Sequence, residues 1–143
     1  SGTTTFKTTT VDVLETAKVL TEATELTVSV TALKTYQFTF LIGLQSPPSQ
    51  PTEVQFTFPT GAVMTYEFYL ATDNTQRDAG FAVASPVTRS NLPTINADHL
   101  YICRGSLRVG ATAGQLKVFV RKDASAGGGN VRLVAGSQLI LVE

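Results

Sequence analysis

An all-β fold of short antiparallel strands, closed as a sandwich or a barrel, is the class this sequence predicts, and three features predict it. Apolar residues recur at every second position along most of the chain, the stretches between these runs are rich in Pro, Gly and Ser, and no clean helical stripe persists. Alternation marks a strand because successive side chains point to opposite faces of a sheet. A length of 143 residues suits one domain with its own core.

Taken in order, residues 1–10 are mostly threonine, with Phe6 the one large apolar side chain and Lys7 the one charge. They read as a flexible arm that orders on a neighbour, leaving 11–143 as the folded domain. Val11 to Glu25 scatters Val13, Leu14, Ala17 and Leu20 among threonines and is read as β, because threonine favours strands. Leu26, Val28 and Val30 form one stripe, and Tyr36, Phe38, Phe40, Ile42 and Leu44 form the longest; a short turn near Ala32 to Thr35 joins them.

Val54, Phe56 and Phe58 alternate until Pro59-Thr60-Gly61 supplies turn dihedrals that a strand cannot hold. Met64, Tyr66, Phe68 and Leu70 then begin the next strand. Ala71 to His99 mixes Gly80, Pro86 and Pro93 with polar residues; it is read as a long surface excursion in which only Phe81 to Ala84 suggests a strand. Tyr101, Cys103, Leu107 and Val109 follow with an interruption at Gly105, then Leu116 to Val120, Val131 with Leu133, and Leu139 with Leu141. The three prolines between Gln45 and Pro51, the small residues Ala111 to Gly114 and the glycine-rich stretch Ala124 to Asn130 read as turns and loops.

Charge narrows the function. Lys plus Arg and Asp plus Glu both number 11, so the chain offers no net field for a nucleic acid backbone or an anionic membrane, and neither is expected as a partner. Charged residues make up only 15% of the chain, against roughly a quarter in an average protein. Low net charge suits a subunit that packs against copies of itself or a scaffold. No run approaches the about 18 to 20 apolar residues of a membrane span, and the first residues hold no signal-peptide core. The lone Cys103 allows no internal disulfide, and no Asn opens a glycosylation signal, so synthesis and residence in a cytoplasm are expected.

Catalytic and cofactor chemistry finds few footholds. His99 is the sole histidine, and its spacing to Cys103 suits a helix face better than a strand, so neither a zinc site nor a Cys–His nucleophile is expected. Cys103 reads as a small buried hydrophobe. Asp73 to Asp78 lacks the central Gly and closing Glu of a calcium loop and reads as a hydrophilic turn. The acids are scattered, there is no Trp, and the four tyrosines sit in strands where packing is the ordinary role. No Gly-rich loop opens a helix after a strand, so no phosphate cradle forms. Lys117, Arg121, Lys122 and Arg132 could gather across a hairpin, and are read as solvated outer-face charge. No cofactor, no metal and no enzymatic activity are expected.

Gly105, Leu107, Gly110, Thr112, Ala113, Gly114 and Leu116, followed by Val134, Ala135, Gly136, Ser137 and Leu139, form a pattern similar to small β-modules of tailed-bacteriophage virion structural proteins. Lys34 to Gly61 is similar as well, and the resemblance spans roughly residues 17–143. Phe119 stands where that pattern often has Trp. The resemblance implies a jelly-roll-like antiparallel β-sandwich acting as a capsid decoration, or cement, protein. On that reading it is a homotrimer bound to the major capsid protein on the outside of the head, made in the host cytoplasm. A tail-fibre or head-fibre receptor-binding module is the alternative, although no heptads of a shaft occur, and a carbohydrate-active enzyme or lectin is a third. The expected partner contact is the arm, at Thr3, Thr4, Thr5, Phe6, Lys7 and Thr8.

Overall fold

Alternating side chains become strands only where each strand finds a partner, and in this chain they do so in two stacked sheets. The computed structural model describes residues 2–15, 17–46, 51–92, 97–122 and 130–143. The strands are β1 (Thr4–Thr8), β2 (Val13–Glu15), β3 (Thr21–Glu22), β4 (Val28–Val30), β5 (Thr35–Gln45), β6 (Thr52–Thr57) and β7 (Val63–Leu70). They continue as β8 (Asp73–Ala82), β9 (Val87–Leu92), β10 (His99–Arg108), β11 (Gly114–Lys122), β12 (Val131–Leu133) and β13 (Gln138–Val142), with a 3-10 turn at Thr24–Leu26.

An eight-stranded sheet runs β1-β13-β5-β10-β7-β8, with β12 beside β5 and β2 beside β12. A five-stranded sheet runs β3-β11-β6-β9, with β4 also on β11. Every pairing is antiparallel. From β5 to β12 the chain crosses repeatedly between the sheets, which makes this an antiparallel β-sandwich wound in jelly-roll fashion.

The expected stripes supply the core. Phe38, Phe40, Ile42 and Leu44 from β5, with Val54 and Phe56 from β6, are buried between the sheets. They meet Met64, Phe68 and Leu70 from β7, and Leu116, Val118 and Val120 from β11. Ring contacts run from Phe38 to Phe40 at 6.0 Å and cross the sandwich from Phe40 to Phe56 at 5.0 Å. They continue to Phe68 at 6.0 Å and Tyr101 at 5.5 Å. Such edge-on and offset rings add about 0.5–1.5 kcal/mol per pair beyond the area they bury.

The structure corrects several expectations. Residues 4–8 are no free arm: they are β1, paired with β13 from Thr4 opposite Val142 to Thr8 opposite Gln138. Thr9 follows it into the interior, where its Oγ1 donates to the Val134 carbonyl at 3.3 Å. A threonine-rich segment forms a strand here because β-branched side chains fit a half-exposed sheet margin. The supposed surface excursion from Ala71 to His99 contributes β8 and β9, and Asp73 to Asp78 belongs to β8, not to a turn. The Val11 to Glu25 stretch, read as β, holds the short strands β2 and β3 among its described residues and then enters the 3-10 turn, in which Leu26 is buried. The readings placed on Pro47 and Pro48, on Pro93 and on Gly127 to Gly129 lie outside the described residues.

Gly105 does not interrupt its strand. It sits within β10 opposite Tyr66, and a Cβ there would lie 1.8 Å from the Thr65 carbonyl oxygen, so any side chain forces β7 and β10 apart. Gly105→Ala is expected to cost about 2–3 kcal/mol, a fall in Tm of roughly 6–10 °C for a domain of this size. Gly80→Ala, whose Cβ would meet nothing nearer than the Tyr66 hydroxyl at 3.5 Å, should leave the thermal melt within about 0.5 kcal/mol of the parent. Equal melts for the two variants would contradict the close approach.

Candidate interaction surface

The residues expected to contact a partner lie together on one margin of the eight-stranded sheet. In the ladder with β13, the Glu143 N–H donates to the Thr3 carbonyl and the Thr9 N–H to the Ser137 carbonyl, both at 2.9 Å. These odd-numbered positions face β13, so by alternation Thr4, Phe6 and Thr8 turn their N–H and C=O groups away from the sheet. Among the described residues no strand pairs with that side of β1. Thr4, Phe6 and Thr8 also point their side chains outward, and Phe6 is 58% exposed. Thr5 and Lys7 point to the core side and are partly covered.

The far end of β1 is fastened. Beyond the strand, the Thr10 N–H and hydroxyl donate to the two Glu25 carboxylate oxygens at 2.9 and 2.7 Å. Those two bonds hold the Glu25 carboxyl below its usual pKa of 4.5.

Phe6 opens onto an outer sheet face that is apolar near β1 and charged farther away. Across the strands it stands beside Ile140, then Thr39, Arg104 and Glu67. Leu41 and Ile102 lie on the same face, both partly exposed. A shallow depression of about 420 Å³ runs between Gln37, Thr39, Thr65, Arg104, Ile140 and Val142. At its charged end Glu67 accepts from Arg104 Nε at 3.2 Å and from Arg77, whose guanidinium lies 4.5 Å from the Tyr69 ring centroid. These exposed pairs contribute little to stability each, and one carboxylate between two guanidiniums leaves a net positive charge there.

The opposite margin, β8, falls in the stretch expected as a surface excursion, and the structure makes it an edge strand. It pairs only with β7 among the described residues, and Phe81 and Val83 at its end are 80% and 74% exposed. The signal available in the sequence was that pair of large apolar residues in an otherwise polar stretch.

The chemical candidates are dispersed. His99 and Cys103 share the core-facing side of β10, but Cys103 is fully buried while the His99 ring meets the Ala97 carbonyl at 2.9 Å. Burial pushes the Cys103 thiol far up, with Asp78 adding to the shift, so it stays protonated. Among the described residues no three His, Cys, Asp or Glu side chains converge as metal ligands. The basic residues do not gather on one anion site: Lys117 pairs with Glu22, Arg121 with Glu53, and Arg132 with Asp12 and Asp98, while Lys122 is buried. The solvated-charge reading holds for Lys117, Arg121 and Arg132 and fails for Lys122.

No protein-family model and no curated protein matches the chain. Among solved structures it is similar to the VP2 subviral particle of infectious bursal disease virus, at a TM-score of 0.43 and 13% identity over 99% of this chain. Structures of the Gt and Gx strains of that virus follow at TM-scores of 0.35 and 0.32, with 12% and 14% identity over 99% and 100% of this chain. The chain spans 32%, 33% and 36% of those three chains respectively.

Two measurements probe this surface and its surroundings. Cys103 should resist iodoacetamide in the folded protein and react at once in denaturant; fast native labelling would place the thiol elsewhere. For Glu25, a lowered carboxyl adds stability above its unfolded pKa and loses it as pH falls through the folded one. The protection of the Thr10 amide, its exchange rate relative to the unfolded chain at the same pH, is therefore expected to fall once the pH drops below the usual 4.5, and Glu25→Gln should remove that acid dependence.

Proposed function

We propose that this chain is a structural module of a virus particle, a capsid decoration (cement) protein that binds the outside of the major capsid lattice and stabilises the head. The observation that carries this reading is the resemblance of Gly105 to Glu143 to phage virion β-modules, together with the way its glycines are used. A Cβ on Gly110 would lie 2.7 Å from the Gly61 carbonyl oxygen, and one on Gly114 would lie 2.9 Å from Pro59. Those glycines keep turns packed and build no reactive site, as befits a module that works by contact.

The contact strand in this proposal is β1, through Thr3, Thr4, Thr5, Phe6, Lys7 and Thr8, with the apolar outer face at Ile140 and Val142 beside it. Homotrimers of the module add buried interface to an existing shell, and many weak attachments sum by multivalency. No chemical step is required. A fibre module that binds a receptor is the second reading, favoured by the exposed aromatic residues at both sheet margins.

Imaging of purified particles decides between them: hundreds of copies at lattice positions are expected, whereas a few copies at a vertex or tail would give the fibre reading. Absence from particles would overturn both. Phe6→Ser should weaken attachment at least about fivefold, as loss of an exposed aromatic anchor does at interfaces, with a melt unchanged within about 0.5 kcal/mol because the ring is largely in solvent.

A further inference from the structure

The margins β1 and β8 end the same sheet, and among the described side chains each carries a charged residue on its core side. Lys7 stands opposite Leu139, which is fully buried, and Asp78 stands opposite Phe68, which is 1% exposed. Both charges therefore lie at the rim of the sandwich, facing inward. Among the described residues neither is in an ion pair. An inward charge on an edge strand deters pairing with a neutral or like-charged strand. It admits a strand that brings the opposite charge to the same side.

The backbone is prepared on both margins. Thr4, Phe6 and Thr8 direct their polar groups outward from β1. On β8 the Ala79 N–H is held by the Asp78 carboxylate at 3.0 Å, so it is not committed to β7 and faces the open side. By alternation Arg77 and Phe81 face the same way.

We propose that β1 of one copy adds to β8 of a second copy as an antiparallel strand, with Phe6 opposite Ala79 and Lys7 opposite Asp78. In that register Thr4 meets Phe81 and Thr8 meets Arg77, and the Ala79 N–H passes from the Asp78 carboxylate to the Phe6 carbonyl, which frees that carboxylate for Lys7. Phe6 and Phe81 become diagonal neighbours on the outer face, within reach of aromatic side chains. Lys7 and Asp78 form a pair without direct backbone bonds, the kind in which side chains approach most closely. Pairing β1 with another β1 offers Lys7 only threonines or a second lysine. The contact is therefore between unlike margins, and it repeats from copy to copy. This deepens the reading of β1 as the contact strand and rests on it, while the partner and the register come from Asp78 and Ala79.

Disulfide trapping tests it in the full chain. Mixing a Lys7→Cys chain with an Asp78→Cys chain under mild oxidation should give a covalent dimer, because only that pair is brought within bonding distance. A Lys7→Cys chain mixed with an Ala82→Cys chain should give at least about tenfold less, since the register sets those Cα atoms beyond disulfide reach. Native Cys103 is buried and stays out of the reaction. Equal yields from the two mixtures, or none from the first with both chains folded by circular dichroism, would overturn the pairing. As a second readout, Lys7→Glu should weaken association of the chain by about 2- to 5-fold, with recovery when Asp78→Lys is added; no recovery also counts against it. The two readings separate cleanly. Trapped dimers from a chain absent from particles keep the strand pairing and sink the virion role, while particle attachment without trapping does the reverse.

Discussion

The packing of Phe40 against Phe56 is the contact on which the rest of this molecule depends. β5 and β6 are consecutive strands in different sheets, and these two rings, 5.0 Å apart, hold the sheets face to face at the centre of the core. Phe38 and Phe68 extend the contact along both sides. Once β5 is fixed by its inner stripe, its neighbours β10 and β13 are placed by register, and β1 is placed by β13. The outer face and its two margins are thus a consequence of a core made almost wholly of aromatic and aliphatic side chains.

Three polar side chains taken into this core are matched to backbone. The Glu15 carboxylate, 1% exposed, accepts from the Val19 N–H at 2.6 Å and the Lys122 N–H at 3.1 Å, tying the chain before β3 to β11. The buried Tyr36 hydroxyl accepts from the Thr31 N–H at 2.9 Å and closes the turn into β5. Ser137 Oγ accepts from Gly43 at 3.0 Å and donates to the Val134 carbonyl at 2.7 Å, which lets β12 and β13 lie in succession along β5. Each such bond satisfies a group whose burial without a partner would cost about 1–3 kcal/mol. None of them is a reactive constellation.

Most of the central strands were legible in advance because a strand buried on one face writes its alternation into the chain. β5, β6, β7, β11 and β13 all follow their stripes. β9 did not, for a physical reason: Val87 lies opposite Phe56 and Arg89 opposite Val54, but Leu92 lies opposite Thr52, so an irregularity shifts the phase midway. β8 has the same defect near Leu70, and as a margin strand with one neighbour it needs few apolar residues. β1 was misread as an arm because an edge strand rich in threonine has the composition of a mobile tail. The proposed contact residues Thr3 to Thr8 were legible as a segment, whereas β8 as their counterpart was not.

By itself the sequence determined an all-β chain, its central strands, a buried Cys103 and the absence of strong net charge. These are local facts, set by which side chains alternate and which are charged. Only the tertiary structure decided which strands end the sheet, that Lys7 and Asp78 both face inward, and which backbone groups remain open. A strand's sequence gives it two faces and two edges, and the neighbours it finds decide which of them stay exposed.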